Sequence, residues 1–347
     1  MKKQLIKRIT RKKEEPVPSR ITNDTVAVHR ERILAGGRRF KYPIQYARHR
    51  LVFTTIIVSV VFVVLLGILG WWQLYPMQNS STFMYRLSRI IPVPVATVDG
   101  TQVPYSSYLV QYRASEYYLD KYGEVKLNTP DGRRQMDYIK RQSLDKAERA
   151  AYARSLAQSH SVTVTDADID SFVDAERNTI NGRVSQETYD TSMRLYYGEA
   201  ASDYRLRLAN SMLETKVAFA VDTDATAQVD AARPLVKSTK GDFDKVVAGI
   251  KSLPGGKVTI GQSGMVDATS KFSGLRVADV ASLNKNEVSG AIKSTTDDGY
   301  YFVRVIEKSG NQVNFLYLHI PLTKFADDFA KLKKAHKISE YITISTK

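Results

Sequence analysis

The 347-residue sequence contains no cysteine. That excludes a disulfide framework, a thiolate nucleophile and any cysteine-ligated metal. Histidine is scarce, with five: His29, His49, His160, His319 and His336. No triad, zinc-ligand or phosphate-loop signature stands out, which disfavours a hydrolase or metalloenzyme. No cofactor and no metal are expected. Net positive charge is also nearly missing from most of the chain, despite a whole-chain value of +15. Residues 1–50 hold 15 Lys/Arg against 4 Asp/Glu, so the other 297 residues carry only +4. The basicity describes a tail rather than a basic domain, and no nucleic acid partner is expected.

Charge vanishes altogether between Leu51 and Trp72, in "LVFTTIIVSVVFVVLLGILGWW". At the helical rise this run extends about 33 Å, enough to cross a bilayer core. It is apolar all round, unlike an amphipathic helix on a core. A cleaved signal peptide would have a shorter apolar region nearer the N-terminus. Trp71, Trp72 and Tyr75 stand at the far end as interfacial aromatics. Arg38, Arg39, Lys41, Arg48 and Arg50 precede the run, so the positive-inside rule places the tail in the cytoplasm and the rest outside. The expected organisation begins with a basic cytoplasmic tail (1–50), an anchor contacting the lipid bilayer (51–75) and a linker (76–92).

Beyond residue 92 the chain alternates short β-prone runs with helical patterns. "VATVDGTQV" brackets Asp99-Gly100, a tight-turn pair, and Pro104 precedes a helix. Tyr108, Tyr112, Ser115, Leu119 and Tyr122 recur at helical spacing. A second helix is expected over 133–158. Thr165 and Asp168 form a capping box before Ile169, Phe172 and Val173. One long helix is expected from 186 to 217. Asp166, Asp168 and Asp170 lie two residues apart and do not converge on a helix, so capping and solvation explain them better than metal binding.

The succession "PVATVDGTQVPYSSYL", "QSLDKAERAAYARSLAQSHSVTVTDADIDSFVDA" and "YRLRLANSMLETKVA" resembles the N-terminal chaperone domain of the SurA/PrsA family. The likeness covers 93–217 and implies a mostly helical domain over 93–215. Residues 216–311 resemble a parvulin-type peptidyl-prolyl isomerase domain, a small α+β unit. "SLNKNEVSGAIKSTTDDGYYFVRV" carries most of this likeness, supported by "GDFDKVV" and "GGKVTIGQSGMV". "KVAFAV" reads as its first strand, and the strand at 301–306 has period two.

Rotating an X-Pro bond means lowering a barrier of ~18–20 kcal/mol set by amide resonance. An apolar pocket that desolvates the amide assists this. The family adds a histidine on its first strand, a Cys or Asp, and a second histidine in a Gly-aromatic-His strand. Here "KVAFAVDT" has no histidine, Tyr301 stands in the second position, and no histidine is expected at the pocket. The resemblance offers Phe219, Met265, Phe272 and Tyr301 as proline-groove candidates. Each also fits an ordinary core position. No catalytic residue is assigned.

Residues 312–347 read as strand, helix, strand. "FLYLHIPL" is similar to the family's first strand, which ends His-Ile-Leu, so His319 opens either a second truncated unit or a return to the helical domain. The second reading is preferred, because too few residues remain for another packed domain. The expected fold is therefore α+β: one transmembrane helix, a SurA-like helical domain and a small parvulin-like domain. The expected function is a membrane-anchored extracytoplasmic chaperone for unfolded exported polypeptides. The alternatives are an active isomerase and a scaffold with one fixed partner.

Overall fold

The computed structural model describes residues 20–41, 43–124, 126–179 and 181–345. The tail before residue 20 lies outside them. The chain divides into two compact units, Met1–Trp72 and Gln73–Lys347. The first holds α1 (Asn23–Lys41) and nearly all of α2 (Pro43–Leu74). Within α2, His49–Leu74 is long and apolar enough to cross a membrane. Phe53, Ile57, Val61, Leu65 and Ile68 are exposed, as are the residues between them, so this stretch buries no face.

The second unit opens at Gln73, inside the expected anchor (51–75), and takes in the whole of the expected linker. Residues 76–92 contain α3 (Thr82–Ile90), started by Ser81, whose Oγ accepts from the Met84 amide. Met84 and Tyr85 enter the first core, together with Leu74. Tyr75, expected at the membrane interface, packs edge-on against Tyr105 at 5.8 Å and donates to the Pro94 carbonyl. Apolar spacing alone does not separate a short amphipathic helix from a linker carrying scattered apolar residues.

Strands β1 (Pro94–Val98) and β2 (Thr101–Pro104) form a hairpin. Its turn residues Asp99 and Gly100 both have positive φ (45° and 83°), as the Asp-Gly pair favours. Helices α4 (Tyr105–Tyr122), α5 (Pro130–Ser159) and α6 (Asp166–Glu176) follow. The Thr165–Asp168 capping box starts α6. Asp168 also pairs with Lys216 at 2.9 Å. The Thr165 amide and the Lys216 ammonium hold its carboxyl down to about 2. A small hairpin, β3 (Asn178–Thr179) and β4 (Gly182–Arg183), precedes α7 (Gln186–Tyr197) and α8 (Ala201–Val221).

The helix expected over 186–217 is thus two. Gly198 ends α7 with φ 64°, a left-handed cap that glycine adopts without strain. A Cβ there would lie 2.7 Å from the Tyr117 ring. "KVAFAV" is no strand but the last turns of α8, which runs without Gly or Pro from residue 201. Its alternation of Ala with larger residues suits a helix packed on several sides: Val217 and Ala218 face α5 and Phe325, while Phe219 enters a different core.

Asp222 then joins several segments. Its Oδ1 caps α9 (Thr223–Ser238), and its Oδ2 accepts from the Thr323 and Lys324 amides at 2.7 and 3.0 Å. Next come α10 (Phe243–Ile250), β5 (Thr259–Gln262), β6 (Val266–Asp267), β7 (Lys271–Phe272), β8 (Leu275–Arg276), α11 (Val277–Ala281), β9 (Ile292–Lys293), β10 (Gly299–Ser309) and β11 (Gln312–Pro321). The main sheet runs β5-β11-β10-β9, with β6 also pairing β11, and neighbouring strands are antiparallel throughout. One face carries Tyr300, Phe302, Leu318 and Ile320 against α9, α10 and Phe219. The other carries Tyr301, Val303, Val305, Val313 and Phe315 against Leu275, Val277 and Val280. Because both faces are covered, β10 is buried at every position from 299 to 303.

Residues 312–321, expected to return to the helical domain, instead sit in the middle of this sheet. Only the segment after them returns. Helix α12 (Lys324–Lys334) places Phe329 in the first core, and β12 (Ile338–Glu340) pairs with β1 to give the order β12-β1-β2. Arg141 on α5 grips Glu340 with two 2.8 Å bonds.

Candidate functional site

Residue Tyr301 lies opposite His319 in the β10–β11 register. Both point to the same sheet face, and their rings stack with centroids 4.5 Å apart and planes 21° from parallel. His319 thus corrects the expectation that no histidine reaches this position. The Tyr301 hydroxyl donates to Asp298 Oδ2 at 2.8 Å. His319 Nε2 lies 3.0 Å from the Asp298 backbone carbonyl. That carbonyl only accepts, so Nε2 carries the proton and, in the neutral ring, Nδ1 is left as an acceptor. Burial, then the bond to Asp298, pushes the Tyr301 hydroxyl well above its usual range, so it stays a donor. Asp298 Oδ1 is buried with no protein partner.

Aromatic residues extend this cluster along the face. Tyr317 lies 6.0 Å from Tyr301, and Phe272 packs 5.3 Å from Tyr317 and edge-on to Phe315 at 5.5 Å. Phe272 and Tyr301 therefore share one core cluster. The other two candidates do not join them. Phe219 is on the opposite face, edge-on to Tyr300 at 4.9 Å. Met265 sits between β5 and β6 and is 39% exposed, outside this aromatic cluster. At 2% exposure Tyr301 is a packed side chain rather than the wall of an open groove.

The helical domain presents different surfaces. Tyr118 and Tyr122 at the end of α4 meet Tyr196 and Tyr197 at the end of α7, with ring centroids 5.4–5.9 Å apart. Tyr118, Tyr122, Tyr196 and the neighbouring Leu195 are all exposed, and the Tyr122 hydroxyl donates to the Leu195 carbonyl at 3.1 Å. Beside this patch is a cavity of about 380 Å³ lined by Tyr85, Arg113, Glu116, Tyr117 and Asp203 among others. A second crevice, about 480 Å³, lies between α5, α6, α8 and the loop before β10. There Arg149 bridges Glu214 at 2.6 Å and Asp297 at 2.9 Å, and its guanidinium lies over Phe325. Burial raises the Glu214 carboxyl pKa despite this partner.

Sequence reasoning missed the tyrosine patch. Its signal was the pair Tyr118 and Tyr122, four residues apart, with Tyr196-Tyr197 just before a helix-ending glycine. Among the described residues no cluster of His, Asp and Glu could hold a metal ion. The arrangement suits binding of apolar and aromatic groups next to hydrogen-bonding carboxylates.

A family model for the SurA-like N-terminal domain matches residues 44–218, just over half of the chain. The chain belongs to this family. The match runs from the apolar helix α2 to the last turns of α8, further upstream than the resemblance read from the sequence. No curated protein and no solved structure matches.

Proposed function

We propose that this protein is a membrane-anchored chaperone that holds unfolded exported polypeptides outside the cytoplasm. The anchor is α2, with residues 1–50 on the cytoplasmic side. The tyrosine–leucine patch at the ends of α4 and α7 carries the reading, because it displays contiguous apolar surface on the family-matched domain. Such patches on soluble domains usually mark interaction sites. Tyrosine suits a broad clientele, since its ring gives contact area at low entropic cost while its hydroxyl stays wet. The test is suppression of aggregation of a chemically unfolded client by the full chain in detergent micelles. Tyr118→Ser with Tyr122→Ser should cut suppression several-fold while the chain still unfolds cooperatively well above the assay temperature. Unaltered suppression would refute the assignment.

The Tyr301–His319 pair supports a second reading, a parvulin-like domain whose first-strand role falls to β11. The strand sought at "KVAFAV" is then supplied from after the Gly-aromatic strand, with His319-Ile320 in place of the family's His-Ile. Because the pair is packed and its second histidine is a tyrosine, we place isomerase turnover low or absent. A protease-coupled prolyl isomerisation assay checks this. Turnover lost in His319→Ala but retained in the serine double variant would make the domain an enzyme.

A further inference from the structure

Helix α3 has one face in the core and one that is exposed. Met84, Tyr85 and Ser88 are buried. Phe83, Arg86 and Ile90, at helical spacings of three and four, form the opposite stripe, with Phe83 68% and Ile90 80% exposed. Ile91 just beyond is also exposed. Arg89 pairs with Asp203, whereas Arg86 is exposed between the two apolar side chains.

The same core fixes where this stripe sits along the chain's path. Leu74, the last residue of α2, is buried in the first core beside Met84 and Tyr85, and the Tyr105 hydroxyl donates to its carbonyl at 2.5 Å. Six residues separate Leu74 from Ser81, a reach of at most about 25 Å. Leu74 thus belongs to the same small core on which α3 is packed, and α3 begins within that reach of it.

We propose that the outer face of α3 rests on the lipid surface from which α2 emerges. Phe83 and Ile90 enter the interfacial layer, and Arg86 meets the phosphates of anionic headgroups. An exposed apolar stripe interrupted by a single arginine has the amphipathic form of an interfacial helix. Basic side chains near anionic headgroups add attraction. A client peptide or a second copy of the chain would compete for this face, but neither explains why the stripe follows the apolar run so closely in the sequence. The inference rests on α2 being an anchor.

The absence of cysteine makes the test direct. Single variants Phe83→Cys, Val58→Cys and Ser309→Cys of the full chain carry an environment-sensitive dye and are reconstituted into vesicles of phosphatidylcholine and phosphatidylglycerol. Spin labels on the lipids, shallow or deep in the acyl chains, act as quenchers. We expect deep quenching at 58, none at 309, and at least twofold quenching at 83 by the shallow label, roughly halved by Arg86→Glu or by omitting the anionic lipid. Quenching at 58 but not at 83 overturns the inference and leaves the anchor standing. No quenching at 58 removes the anchor and the inference with it.

Discussion

Glu148 offers the sharpest test of how the C-terminal segment is held. Its side chain is 0% exposed on α5, and neither carboxylate oxygen has a hydrogen-bond partner. Arg141 and Lys333 approach to 3.9 Å, while Glu340 and Asp145 add like charge. Burial first, then Glu340, pushes the carboxyl up to about 7. The folded state therefore holds a proton that the unfolded chain releases near 4.5. Stability from this group is fully present below about pH 4.5 and is lost as pH rises through 7. Glu148→Gln keeps the shape and removes the ionisation. Between pH 5 and pH 8 the advantage of glutamine over glutamate should grow by about 2 kcal/mol. For a domain of this size that widens the Tm gap by roughly 4–8 °C. Comparing the two proteins at the same pH cancels other titrations, including that of Glu214, which shifts the same way. The assay is thermal unfolding of the full chain in micelles at pH 5, 6, 7 and 8. A gap that stays constant, or a glutamine variant that weakens as pH rises, would mean that the ionised carboxylate is favoured by Arg141 and Lys333, and the reasoning fails.

Two other substitutions probe the joints of the helical domain. Gly198→Ala places a Cβ 2.7 Å from the Tyr117 ring on a backbone with φ 64°; denaturant unfolding should show a loss of about 1–3 kcal/mol, and an unchanged midpoint would contradict the cap. Phe329→Ala empties the site where α12 meets Tyr152 and the first core; a loss of about 3–5 kcal/mol is expected by the same measurement, and a loss under about 1 kcal/mol would mean that the C-terminal return adds little.

Where the sequence carried a local signal, the structure follows it. Thr165 and Asp168 start a helix because a cap needs only four residues, and Asp99-Gly100 turns a hairpin because its φ values are intrinsic to the pair. The break at Gly198 was hidden because the helical period continues on both sides of it. "KVAFAV" misled because β-branched and aromatic residues are common to strands and to helices buried on several sides. Reading the parvulin-like unit as ending at residue 311 cut the turn between β10 and β11, although "SGN" between two alternating runs is a hairpin signal. That cut separated Tyr301 from His319, so half of the aromatic cluster was visible and its partner was assigned elsewhere. The exposed stripe of α3 was legible only after Met84 and Tyr85 had been placed in a core.

The pairing of β12 with β1 also sets a schedule. The helical domain is split in sequence, with 239 residues and an entire sheet lying between its first strand and the strand that closes it. As the chain is made from its N-terminus, β1 and β2 wait with one edge bare, and α5 waits without Phe329 and Glu340 beside it. The sheet built on β10 and β11 has all of its strands earlier and can finish first. The family-defining domain is thus completed only after that sheet, and until residues 338–340 arrive the nascent chain exposes an unfilled core and a bare strand edge of its own.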